Sequence, residues 1–115
     1  MTFYFCIFTL NKAIKIAESI HELFPDGREG MKEVQIAGKE LCIVRTKGET
    51  KACAAKCPHA GARMAQGYVD GLGNIVCPLH RYKFELERGR NVSGEGYYLK
   101  VYHIEEREDG VYVII

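Results

Sequence analysis

Apolar positions recur at two different periods along this chain. Between Lys12 and Phe24, Ile16, Ile20, Leu23 and Phe24 fall three and four residues apart, the spacing of one helix face. Pro25-Asp26-Gly27 stops that segment. From Met31 the period shortens to two. Met31, Val34 and Ile36 predict a strand that turns at Gly38-Lys39 and returns as Leu41 to Arg45. Lys47-Gly48-Glu49 turns the chain again, and Thr50 to Ala55 predicts a further strand. Gly67, Gly71, Gly73 and Asn74 then cut the chain into short pieces, of which Ile75-Val76 is one. Tyr82 to Leu86 predicts a strand closed by Arg88-Gly89. Tyr97 to Tyr102 and Val111 to Ile114 predict two last strands joined around Glu108-Asp109-Gly110. Many short strands with glycine turns, without repeat or linker, describe an all-β domain.

Bulk properties narrow the picture. A chain of 115 residues has room for one modest core. Sixteen basic and fifteen acidic residues give a net charge of +1, which argues against a nucleic-acid partner and fits a protein that meets other soluble proteins. Residues 1–12 form an N-terminal extension, rich in Phe3, Tyr4, Phe5, Ile7 and Phe8. Its apolar run falls short of the roughly 20 residues that cross a bilayer. It also lacks the basic start and small-residue cleavage site of a signal peptide, so no membrane association is expected. An added edge strand, a dimer contact and a start codon placed too early all remain open for it, as does the oligomeric state. Five cysteines suit a reducing compartment, the cytoplasm, better than a disulfide scaffold.

The chemistry concentrates in Cys57-Pro58-His59 and Cys77-Pro78-Leu79-His80, with 17 residues between His59 and Cys77. Each pair offers one thiolate and one imidazole from a short loop. Two sulfur and two nitrogen donors fit a 2Fe-2S cluster with two Cys on one iron and two His on the other. Zinc is the rival, because the same four donors make a tetrahedral set. Structural zinc knuckles, however, pair like ligands at Cys-x2–4-Cys and His-x3–5-His spacing. Pro58 and Pro78 each follow a candidate cysteine and stiffen its loop. Gly61 lets the backbone come close to the centre. Of the other cysteines, Cys42 lies in the apolar run Leu41-Cys42-Ile43-Val44 and reads as a buried small hydrophobe. Cys53 stands four residues before Cys57, but the three-cysteine pattern of radical-enzyme clusters would need a third cysteine where Ala60 stands, so Cys53 reads as structural. Cys6 is the third cysteine left over.

Cys57-Pro58-His59-Ala60-Gly61, Cys77-Pro78-Leu79-His80 and Phe84 together resemble the Rieske family, over most of the chain from about Lys15. The resemblance implies a Rieske domain over 13–115, with stacked antiparallel sheets and two cluster-binding loops at one tip. It implies Cys57 and Cys77 on an inner iron, and His59 and His80 on an outer, solvent-facing iron. It also implies a first strand near Lys15–Ala17 and a helical turn over Glu18–Leu23, where periodicity alone predicts one helix. High-potential members carry an extra cysteine in each loop and a serine after the second histidine; here Ala62, Leu79 and Tyr82 stand in those places. Fewer hydrogen bonds to sulfur imply the low-potential, ferredoxin-like branch. Arg81 replaces the usual glycine. The stretch Asn91 to Gly96 lacks the proline of the family's covering loop, which implies a looser cover. Phe84 is expected beneath the second loop. Tyr82 either donates toward the cluster or lies on a strand. His21 and His103 read as ordinary surface or strand residues, and Glu105, Glu106, Glu108 and Asp109 as a solvated turn. Lys56, Arg63, Arg81 and Lys83 flank the ligands and predict a basic tip, unless acids pair with them.

The function implied is that of an electron carrier, taking one electron from a reductase to a terminal oxygenase or similar enzyme. The alternative is the small subunit of a nitrite reductase-like complex that uses NAD(P)H.

Overall fold

A computed structural model describes residues 12–115. The elements are β1 (Ala13–Ala17), a one-turn helix α1 (Ile20–Leu23), β2 (Gly30–Ile36), β3 (Lys39–Thr46), β4 (Glu49–Ala54), β5 (Tyr68–Val69), β6 (Ile75–Val76), β7 (Lys83–Phe84), β8 (Val101–Arg107) and β9 (Gly110–Ile114). Single 3-10 turns sit at Pro25–Gly27 and Met64–Gln66. Six strands form one antiparallel sheet in the order β1-β9-β8-β4-β3-β2, and β5-β6-β7 form a second, smaller one. The expected all-β architecture of antiparallel sheets is what the chain adopts.

The run Leu41-Cys42-Ile43-Val44 explains how the layers meet. All four side chains are buried, although successive strand residues point to opposite faces. Cys42 and Val44 join one apolar cluster with Cys53, Met64, Ile75 and Phe84. Leu41 and Ile43 join another with Ala17, Phe24, Val111 and Val113. Strand β3 is therefore covered on both faces, and a continuous apolar run is the pattern such a strand requires. The first cluster also holds Cys57 and Cys77, so the functional loops stand on the packed floor of the domain.

Three local readings change. The helix spacing over Lys12–Phe24 arises from two elements in succession: Ile14 and Ile16 are half-buried on β1, and Ile20 and Leu23 lie on α1. Pairing of Ala13 through Ala17 with β9, a non-local ladder, overrides the local period. The resemblance anticipated this strand-then-turn order. The strand expected at Tyr97–Tyr102 begins at Val101 and runs on to Arg107. Before it, the Leu99 N–H bonds the Gly89 carbonyl, which keeps the chain out of the ladder. Glu105 and Glu106 consequently lie on β8, and only Glu108 and Asp109 make the turn. Of Tyr82–Leu86, only Lys83–Phe84 is strand. The N-terminal extension up to Asn11, with Cys6, lies outside the described residues.

Candidate metal centre

Each candidate loop is the tip of a hairpin. Lys56 and Arg63 form an antiparallel bridge at the base of the first. Val76 and Lys83, paired in β6–β7, form the base of the second. Inside them the Cys57 N–H bonds the Ala62 carbonyl at 2.8 Å, and the Cys77 N–H bonds the Tyr82 carbonyl at 2.9 Å. In the first loop the Gly61 N–H also returns to the Cys57 carbonyl at 2.8 Å, with Gly61 at φ 70°. Gly67 supports the second loop from behind. A Cβ there would stand 1.9 Å from the Val76 carbonyl oxygen and 3.2 Å from Pro78 Cδ, so no larger residue fits.

Cys57, His59 and Cys77 come together, their donor atoms all within 4.8 Å of one another. Cys57 Sγ lies 2.6 Å from His59 Nδ1, so Nδ1 is the imidazole nitrogen turned toward the sulfur. Both cysteines are buried and free. Burial pushes the Cys57 thiol up to about 11, although N–H bonds from His59 and Ala60 pull the other way. His80 stands outside that group of three, its ring 5.6 Å from the His59 ring, and it is exposed. The two histidines, which the resemblance implies on one outer, solvent-facing iron, differ in exposure. His59 is half-buried, and its Nε2 is buried without a hydrogen-bond partner in the protein.

Aromatic rings cause that difference. The Tyr82 ring lies 4.1 Å from the His59 ring and the Tyr97 ring 5.9 Å from it, centroid to centroid. Tyr82 thus meets the site through its ring. Tyr97 was hidden from sequence reasoning within an expected strand. Asn91 places it: the Asn91 side-chain amide donates to the Lys83 carbonyl at 3.0 Å and to Glu95 Oε1 at 2.9 Å. Its carbonyl oxygen accepts the N–H groups of Glu95 and Gly96. The cover lacks proline but is riveted by one asparagine. The signal for it was an Asn between turn residues, which bonds its own following backbone.

The remaining expectations divide. Phe84 is fully buried in the cluster with Cys57 and Cys77. Cys42 and Cys53 face each other across β3–β4, both buried. The neighbouring Cys42 thiol and burial hold the Cys53 thiol well above its usual range, and neither lies among the converging donors. His21 and His103 are exposed. Ala62 packs on the core and Leu79 is exposed, so no sulfur bridges the loops through those positions. The basic tip is largely neutralised. Arg63 pairs with Glu40 at 2.9 Å and Glu33 at 3.5 Å, Lys56 with Glu40 at 3.7 Å, and Lys83 with Asp70 at 3.8 Å. Among the described residues, Arg81 alone of the four flanking cations has no such pair. No helix among the described residues is long and apolar enough to cross a membrane.

Comparison with known proteins agrees with this geometry. The family model of the Rieske [2Fe-2S] domain matches residues 16–102. The ferredoxin component of the naphthalene 1,2-dioxygenase system of Pseudomonas putida is 40% identical over 57 residues, which is 50% of this chain and 54% of that protein. The ferredoxin of carbazole 1,9a-dioxygenase from Nocardioides aromaticivorans superposes with a TM-score of 0.74 at 20% identity, over 89% of this chain and 96% of that one. The E. coli protein NirD does so with a TM-score of 0.74 at 17% identity, over 91% and 97%. These two are likenesses of fold. The chain spans about half the length of the curated ferredoxin relative it matches.

Proposed function

We propose, for a chain that belongs to the Rieske [2Fe-2S] domain family, that Cys57, His59, Cys77 and His80 hold one 2Fe-2S cluster and that the protein is a one-electron carrier. The observation that carries this is the convergence of Cys57, His59 and Cys77 from two hairpin tips, with His80 exposed beside them. Two sulfur donors buried on the apolar floor and imidazoles placed toward the rim fit a mixed Cys2His2 cluster, and such a cluster takes up and gives back one electron. The protein's own part is to fix the donors, keep water from the sulfurs and present an edge to a partner. The partners of this reading are a reductase and a terminal oxygenase in the cytoplasm; the Pseudomonas relative is the ferredoxin component of a dioxygenase system.

The midpoint potential belongs in the lower part of the Rieske span of about −150 to +300 mV, since the loops lack a bridging disulfide and the serine donor. The likeness to NirD is one of fold and by itself assigns no complex. The complete Cys/His set favours a carrier that works through its own cluster.

Reconstitution with iron and sulfide tests the reading. A brown protein with broad visible absorption, a rhombic EPR signal on reduction, and reoxidation by an oxygenase supports it. A colourless protein that retains only zinc overturns it.

A further inference from the structure

The two histidines of the site differ in a way the ligand pattern does not require. His80 is exposed. His59 is half-buried, three residues from Ala62, which packs on the core. The Tyr82 ring lies over the His59 ring at 4.1 Å with planes 32° apart, a closer approach than the roughly 4.5–7 Å of ordinary aromatic pairs. The Tyr97 ring continues the layer, 5.9 Å from Tyr82 and 30° from its plane. His59 Nε2, the ring nitrogen other than the one beside the sulfur, is buried without a partner. Tyr97 belongs to no regular strand, and the hydrogen bonds of Asn91 tie down the loop that carries it.

We infer that Tyr82 and Tyr97 are positioning residues that shield His59, so that His80 is the ligand through which electrons enter and leave and the shield holds the potential down. The inference rests on the ligand set proposed above. Its physics is simple. Taking up one electron adds negative charge at the site, with no bond made or broken, and water stabilises that charge. Two aromatic rings over one imidazole remove water from that side and disfavour the reduced form. A partner's donor or acceptor meets the bare edge of His80 first, while the path to His59 is longer by the thickness of a tyrosine. Leu79, 44% exposed next to His80, gives that edge an apolar neighbour on which a partner can close.

The test uses the cluster-loaded protein and an imidazole-acylating reagent, diethyl pyrocarbonate, with modified histidines located by peptide mass. His59 should react about tenfold more slowly than His80, an opening cost of about 1.4 kcal/mol. In Tyr97→Ala the two rates should approach each other, and the midpoint potential should rise. A tenfold change in the ratio of reduced to oxidised protein corresponds to about 59 mV. Tyr97→Phe, which keeps the ring, should restore both protection and potential; a purely structural role of the hydroxyl would not be rescued. Equal reactivity of the two histidines in the unmodified protein overturns the shield without recourse to any variant. So does a Tyr97→Ala protein that keeps its cluster with protection and potential both unchanged. A protein that assembles no cluster at all defeats the ligand reading instead, so the two failures are distinguishable.

Discussion

In the first loop the Cys57 N–H reaches the carbonyl of Ala62; in the second the Cys77 N–H reaches that of Tyr82. The two turns have the same length, and each is closed by an antiparallel pair one residue outside. Their fifth positions are both left-handed: Gly61 at φ 70° and Arg81 at φ 58°. Glycine takes that conformation freely, whereas a side chain there costs about 1–2 kcal/mol. The second loop adds a further left-handed residue, His80 itself at φ 67°. The first loop keeps its histidine in third place, half-buried, with Arg63 tied to Glu40 at its base. The second carries Leu79 in third place and its histidine in fourth, with Leu79, His80 and Arg81 all exposed. One frame therefore gives a relaxed, sheltered loop and a strained, presented one. Backbone strain collects at the exposed His80 and Arg81 of the second loop, as strain at functional sites commonly does.

The largest effect tests the sameness of the two loops. Alanine in place of Cys57, His59, Cys77 or His80 should abolish the visible absorption of the assembled cluster, whichever loop is hit. Cys53→Ala should keep it, and a bleached Cys53→Ala beside a coloured Cys57→Ala would reverse the assignment. The next effect separates the loops. Gly67→Ala drives a Cβ into the Val76 carbonyl behind the second loop, and should cost about 1–3 kcal/mol and speed iron loss. Gly61→Ala in the first loop meets nothing within 4 Å. It should cost only its backbone strain, about 1–2 kcal/mol. Arg81→Gly should act in the opposite sense. Relief of about 1–2 kcal/mol of strain, less about 0.5–1 kcal/mol for the freer unfolded glycine, leaves a gain of roughly 0.5–1 kcal/mol. Thermal midpoints of the variants check all three, and a Gly61→Ala protein as stable as the parent would remove the contrast.

The parts legible in the sequence are those set by local period or by ligand chemistry. The β2–β3 and β3–β4 hairpins followed from alternation and Gly turns, and the convergence of Cys57, His59 and Cys77 from residue type and spacing. What escaped depends on contacts between distant residues. Strand β1, which the resemblance implied and the local period did not, is held by its pairing with β9 at the other end of the chain. Tyr97 lies close to His59 only because the Asn91 loop folds back over the site. The basic tip vanished because Glu33 and Glu40, more than twenty residues upstream of Arg63 on β2 and β3, reach its guanidinium. Lys83 met Asp70 across the smaller sheet rather than the nearby Glu85 or Glu87. Arg81 stands where the family usually has glycine, and only the backbone reveals that it keeps glycine's conformation.

The smallest expected effect concerns acid. The region around the second loop is pinned by carboxylates that accept backbone N–H groups. Asp70 accepts from Leu72 and Asn74, both at 2.9 Å, and Glu85 accepts from Arg88 and Arg90. Burial pushes both carboxyls up, but these N–H bonds prevail and hold them below their ordinary values. Glu95 is lowered by the Ser93 hydroxyl and Asn91 amide. At the base of the first loop, Glu40 is lowered chiefly by its bond to Arg63. A folded-state value below the unfolded one, about 4 for a carboxylate, stabilises the protein above that pH. That stability is lost as the pH falls through the folded value. With three such carboxylates around the second loop and its cover against one at the first, residues 70–74 and 83–96 should loosen before 56–63 on acidification. Each contribution at Asp70 or Glu85 is screened by solvent and worth less than about 1 kcal/mol, so the effect should appear as local opening rather than global unfolding. Amide exchange followed from about pH 5 to pH 3 reads it directly, and Asp70→Asn should make residues 70–74 less sensitive to pH across that window. If the amides of the first loop lose protection first, the N–H-pinned carboxylates are not what holds the presented loop in place.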